Sequence, residues 1–139
     1  MIIKRKIMWG DLDSLGIVFY PRYYEWMDGC GHLFFESLGF NFNELWQKRQ
    51  ILFGLVETSC RYFNPGRYHD EIEIHVRVTD LAEKTVGLIY EIKRGAEGSR
   101  MVEGREKRIC MDVSDPARIR AMPIPEDIYA CLEASQKPL

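Results

Sequence analysis

Two acids, a glycine and an aromatic pair stand within ten residues near the start of the chain. The segment Asp11-Leu12-Asp13-Ser14-Leu15-Gly16-Ile17-Val18-Phe19-Tyr20-Pro21 sets a carboxylate beside what reads as the start of a helix. A carboxylate can attack a carbonyl or draw a proton from water, and free N–H groups at a helix start can hold the resulting oxyanion. On this reading Asp13 is the nucleophile or general base and backbone N–H groups near Tyr20 polarise the carbonyl. Gly16 then lets the backbone approach the substrate closely. The same pattern has a plainer reading, because acids before a helix suit its positive end and cap its free N–H groups. Spacing leaves both open.

The rest of the sequence narrows the reaction. It holds no G-x-S-x-G elbow, and its cysteines and histidines suggest no nucleophilic pair. A lone carboxylate with an oxyanion site is poor equipment for an amide, whose amine leaving group needs a proton. A thioester differs, since its thiol has a pKa near the ~8.5 of cysteine and leaves as thiolate without strong acid assistance. Thioester hydrolysis is the chemistry that fits.

The elements that must position these groups follow from periodicity. Ile3 to Trp9 reads as a first strand leading into the acidic loop. Pro21 suits the first position of a helix, and Gly39 suits its end, so a helix is expected from Pro21 to Leu38. At 100° per residue, Tyr23, Tyr24, Met27, Cys30, Gly31, Phe34, Phe35 and Leu38 share one face. Trp26 and Leu33 widen it to an arc of about 200°, the mark of a helix enclosed by other structure. A shorter helix is expected around Asn43 to Arg49, then a strand from Ile51 to Cys60 and a turn at Asn64-Pro65-Gly66.

Ile72, Ile74, Val76 and Val78 then alternate with polar residues, as in a strand with one wet face. Val86, Leu88, Tyr90 and Ile92 give a second such strand after a turn at Glu83-Lys84. Gly95-Ala96-Glu97-Gly98-Ser99 turns into a third, reaching Met111, with Met101, Ile109 and Met111 among its apolar positions. Pro125 introduces a short terminal helix. The expected class is α+β, a curved antiparallel sheet wrapped around a long central helix in one domain over residues 1–139.

Composition sets outer bounds. The 139 residues are 46% apolar, enough for a sizeable core, and the net charge of −2 gives no nucleic-acid footprint. No apolar run approaches the roughly 18 residues of a membrane span, and the N-terminus lacks the apolar stretch of a signal peptide. Cys30, Cys60, Cys110 and Cys131 form neither a zinc pattern nor a disulfide framework, and His32, His69 and His75 form no ligand set. The expectation is a cytoplasmic protein with reduced thiols, no metal and no cofactor.

Residues Trp9 to Asp28 also resemble the opening motif of the hotdog-fold acyl-CoA thioesterases, most of all the 4-hydroxybenzoyl-CoA thioesterase group. The pattern is an acid, one residue, Asp13, two residues, Gly16, an aliphatic pair, an aromatic, Tyr20, and then the central helix. Asn64-Pro65-Gly66-Arg67-Tyr68-His69-Asp70-Glu71-Ile72-Glu73-Ile74 is similar to the family's turn-to-strand segment, and Met122-Pro123-Ile124-Pro125-Glu126 to its approach to the last helix. The resemblance implies that Asp13 is the catalytic carboxylate and that the Tyr20 N–H polarises the thioester carbonyl. It implies that Asp28, which helical arithmetic sets at the boundary of the apolar arc, receives the phenolic hydroxyl of a hydroxybenzoyl group. The plainer reading of Asp28 is an acid favoured by the helix dipole.

By the same resemblance, Lys84 matches a basic position on the nucleotide-binding turn, although Ala82 and Glu83 stand where close relatives carry paired arginines. It also implies active sites between the subunits of a homodimer or homotetramer, with acyl-CoA as the only partner. Three rivals are an enzyme for short or medium aliphatic acyl-CoAs, a hotdog hydratase, and a non-catalytic acyl-CoA-binding protein. The hydratase would need a histidine in the opening loop, where this chain has none.

Overall fold

Pro21 opens the long helix because its missing N–H costs nothing at the first position, and Gly39, at φ +99°, lets the chain turn away after it. In the computed structural model, which describes residues 1–96 and 98–136, this helix, α1, spans Pro21–Ser37. It buries Tyr23, Trp26, Met27, Cys30, Gly31, Phe34 and Phe35, the core of the expected arc. Leu33, expected at the edge of that arc, faces solvent.

Six strands curl around α1: β1 (Ile2–Lys6), β2 (Ile51–Tyr62), β3 (Glu71–Leu81), β4 (Thr85–Arg94), β5 (Arg100–Asp112) and the short β6 (Arg120–Ala121). All pairings are antiparallel in the order β1-β3-β4-β5-β2, with β6 beside β5. Ile72, Ile74, Val76 and Val78 of β3 and Val86, Leu88, Tyr90 and Ile92 of β4 are buried in the core that also holds the α1 face. The α+β expectation holds, with the helix enclosed by the sheet. Helix α3 (Glu126–Gln136) follows Pro125 and buries Ile128 and Leu132.

Local departures have physical causes. The first strand ends at Lys6, not Trp9, because Ile7 turns fully inward and exchanges backbone hydrogen bonds with His69 and Asp70. Trp9–Asp11 is a 3-10 turn. The expected helix at Asn43–Arg49 is a short α2 (Phe42–Glu44) running into a π-helical turn, Leu45–Arg49, that ends on left-handed Gln50. In the β4–β5 turn Gly95 takes φ +66°, and Glu97 lies outside the described residues. The wet face of β3 is partly closed too, since Glu73 is buried beside His75.

The phase of β5 is the largest departure. Ile109 and Met111 are only half-buried, while Val102, Gly104, Glu106, Arg108 and Cys110 are buried. Two charged residues therefore share one face with core side chains.

Candidate active site

The acidic loop is a small hairpin. Leu12 and Val18 bridge each other, Asp13 N–H donates to Ile17 O (2.8 Å), and Gly16 N–H donates to Asp13 O (3.0 Å). Gly16 sits at φ +77°, a conformation that favours glycine, and a Cβ there would meet no atom within 4 Å. Turn geometry is thus what this chain asks of Gly16. Val18 N–H donates to Gly66 O (2.9 Å), and Ile17 bridges Arg67, tying the loop to the Asn64-Pro65-Gly66 turn.

Gly66, expected only as part of a turn, is where the surrounding protein itself leaves no room for a side chain. A Cβ on Gly66 would lie 2.7 Å from Ile7 Cδ1 and 2.8 Å from both Tyr23 Oη and Val18 Cγ2. Arg94 secures the turn from β4, donating to Pro65 O (2.7 Å) and to Asp70 (3.1 Å).

The two acids separate by environment. Asp11 is 8% exposed, accepts the Met8 N–H (2.9 Å), and its carbonyl accepts the Phe19 N–H (2.8 Å), so it holds the loop together. Asp13 is half-buried, and its Oδ1 accepts the Leu15 N–H (2.8 Å). With Tyr20, Tyr23, Tyr62, Asn64 and Gly66 it lines a cavity of about 470 Å³. Tyr20 caps α1, and its N–H finds no acceptor among the described residues. A carboxylate and a free N–H at the positive end of a helix thus border one space. Burial raises the pKa of Tyr24, Cys60 and Tyr62.

Asp28 lines a different cavity, of about 280 Å³, with Tyr24, Met27, Leu55, Thr58 and Glu106. Its Oδ1 accepts a hydrogen bond from Arg108 Nη2 at 2.7 Å. Arg108 Nε in turn donates to Glu106 Oε1 (2.8 Å), which also accepts the Tyr90 hydroxyl (2.7 Å). Burial opposes the Arg108 charge, but Glu106 and Asp28 outweigh it and raise the guanidinium pKa above its ordinary value. The sequence reading missed Glu106 and Arg108. Their i, i+2 spacing, in phase with Val102 and Cys110, was the signal that could have found them.

Lys84 is exposed in the β3–β4 turn. Tyr62, at the Asp13 cavity, is level with Val102 of β5, whereas Thr85 is level with Ile109. That separation along the strand is roughly 20 Å at ~3.3 Å per residue. One chain therefore brings Asp13 and Tyr20 together, gives Asp28 a separate cavity, and leaves Lys84 at the other end of the sheet. Among the described residues, no three His, Cys, Asp or Glu side chains form a metal-binding group, and no helix is long and apolar enough to cross a membrane.

Residues 7–132 match the family model of the thioesterase-like superfamily. The 4-hydroxybenzoyl-CoA thioesterase of Pseudomonas sp. (strain CBS-3) is 24% identical over 132 residues, covering 90% of this chain and 92% of that protein. The structure of BH1999 gentisyl-coenzyme A thioesterase is 31% identical with a TM-score of 0.80, covering 92% of this chain and 98% of that one. A 4-hydroxybenzoyl CoA thioesterase mutant complexed with 4-hydroxybenzoyl CoA superposes with a TM-score of 0.87 at 21% identity, covering 95% and 97%. The sheet curled on a central helix is the hotdog fold of those structures. The chain belongs to the thioesterase-like superfamily and is a hotdog-fold thioester hydrolase, similar to the acyl-CoA thioesterases.

Proposed function

We propose that this enzyme hydrolyses a small, hydroxylated aromatic acyl-CoA to the free acid and CoA, with Asp13 as its catalytic carboxylate. The observation that carries the proposal is the shared cavity of Asp13 and Tyr20, with the Tyr20 N–H unpaired among the described residues. Asp13 attacks the thioester carbonyl or takes a proton from the water that does. Either route builds negative charge on the carbonyl oxygen, where the Tyr20 N–H and the positive end of α1 meet it. CoA then leaves as thiolate, with no acid required, and on the nucleophilic route water cleaves the resulting Asp13–acyl anhydride to give the free acid.

Asp28 reads the acyl end in this account, accepting the ring hydroxyl. Relatives named for 4-hydroxybenzoyl-CoA and gentisyl-coenzyme A support a hydroxylated ring. The working unit is a homo-oligomer. Among the described residues strand β2 pairs only with β5, leaving its other edge open, and Leu55 and Val56 of β2 are exposed. Near the Asp13 cavity, Leu15 is 77% and Tyr20 60% exposed, an apolar surface that a second copy would cover. Lys84, distant from Asp13 in its own chain, would then contact CoA phosphates at a neighbour's site.

A thioester panel with a free-thiol readout tests the reading. Wild-type enzyme should turn over 4-hydroxybenzoyl-CoA faster than benzoyl-, phenylacetyl- and short aliphatic acyl-CoAs. Preference for the aliphatic thioesters would overturn the substrate assignment, and binding without thiol release would overturn the catalytic one.

A further inference from the structure

Asp28 does not stand alone. Its side chain is 53% exposed, but it rests on Arg108 and Glu106, whose side chains are only 5% and 6% exposed. Behind them the Tyr90 hydroxyl donates to Glu106, and Arg108 Nη1 donates to the carbonyl of Phe53 at 3.3 Å. Helix α1 is shaped around this assembly, because a Cβ on Gly31 would collide with the Tyr90 hydroxyl and crowd Glu106.

A buried ion pair is a costly way to fill a core. Its desolvation offsets much of its attraction, and well-packed apolar residues of similar volume often serve stability as well or better. The pair here reaches a half-exposed carboxylate that borders a cavity, together with Glu106 itself. Arg108 occupies Asp28 Oδ1, which also lies 3.5 Å from His32, while Asp28 Oδ2 carries no hydrogen bond among the described residues. Three acids, Glu25, Asp28 and Glu106, line the cavity against one guanidinium, Arg105, so its wall is acceptor-rich. It suits an acyl group that presents a hydroxyl and repels one that presents a carboxylate.

We propose that Arg108, held by Glu106 and Tyr90, is the positioning residue that aims Asp28 at the acyl hydroxyl. Selectivity then belongs to the whole chain of four residues rather than to Asp28. The proposal rests on the hydroxylated-acyl reading given above. The flexible Asp28 side chain is held by one prong of a guanidinium whose other donors are anchored in the core, which fixes the acceptor before substrate arrives.

The experiment compares kcat/KM for 4-hydroxybenzoyl-CoA and benzoyl-CoA in wild type, Asp28→Ala, the double variant Glu106→Gln/Arg108→Met, and Arg108→Lys. The double variant removes both buried charges together, so neither is stranded. Its hydroxybenzoyl-to-benzoyl ratio should fall about tenfold to hundredfold, the size of a hydrogen bond to a charged group, through a raised KM for the hydroxylated substrate. Adding Asp28→Ala to it should lower the ratio no further. Arg108→Lys, which keeps the charge but not the fork, should recover part of the ratio.

If the double variant loses both activities equally, or keeps the wild-type ratio, the positioning role is wrong. Should it fail to fold, Tyr90→Phe gives the same reading from a milder change, a smaller fall in the same ratio. An unchanged ratio in Tyr90→Phe would then overturn the proposal. Failure of the hydroxylated-acyl reading shows earlier and separately, as a wild-type enzyme with no preference between the two thioesters.

Discussion

Asp11 and Asp13 stand two positions apart, yet Asp11 is turned inward to hold Met8 and Phe19 while Asp13 faces the cavity that Tyr20 shares. One acid maintains the loop and the other is offered to a substrate. Asp11→Ala should therefore cost about 1 kcal/mol of stability, because it removes the buried carboxylate that accepts the part-buried Met8 N–H. Asp13→Ala should cost less than that, since its contact to Leu15 is exposed. Urea denaturation of both variants checks the contrast.

Gly66→Ala should be the more damaging glycine change in the site. The added methyl meets Ile7, Val18 and Tyr23 at once, an overpacking that costs typically about 1–3 kcal/mol. Gly16→Ala meets no neighbour and pays only for its left-handed backbone, about 1–2 kcal/mol. Thermal melts should show both losses, with a greater loss of thioesterase activity in Gly66→Ala because the carbonyl that pins Val18 moves.

Charge at α3 gives a pH-dependent expectation. Arg49 holds the Asp127 carboxyl below the usual aspartate range through paired contacts of 2.8 and 2.9 Å. A lowered folded pKa means the stabilisation is present above the unfolded value, near 3.8, and is lost as pH falls through the folded one. Both side chains are more than a third exposed, so solvent screening limits the effect to about 0.5 kcal/mol. Asp127→Asn should be slightly less stable than wild type at pH 7 and indistinguishable from it at pH 2.

Thiol accessibility tests the core directly. Burial pushes the Cys30 and Cys110 thiols up to about 11, and both are 2% exposed or less. Neither should react with a thiol reagent at pH 8 in the native state, and both should react after denaturation. Peptide mass spectrometry distinguishes them from Cys60 and Cys131.

What could be read from the sequence was what local signals and period decide. Pro21 and Gly39 bound α1, and strict alternation gave β3 and β4 their inward faces. The phase of β5 escaped because Met101 and Val102 are both buried, so alternation is broken at its start. Charged residues default to solvent, which hid Glu106 and Arg108 on its inner face. For the same reason Asp28 looked like an independent reader, since its partner lies eighty residues away and only the folded sheet brings it near. The loop acids were visible as a pair, and the resemblance set Asp13 apart as the catalytic candidate, but the contacts that turn Asp11 inward show only in the fold.

The most direct measurement is turnover of 4-hydroxybenzoyl-CoA by Asp13→Asn, with free CoA thiol as the readout and a melt to verify the fold. The substitution keeps the size of the side chain and removes its power to attack or to accept a proton. The account predicts a loss of kcat on the order of a hundredfold or more in a protein as stable as wild type. Wild-type kcat in Asp13→Asn would contradict it.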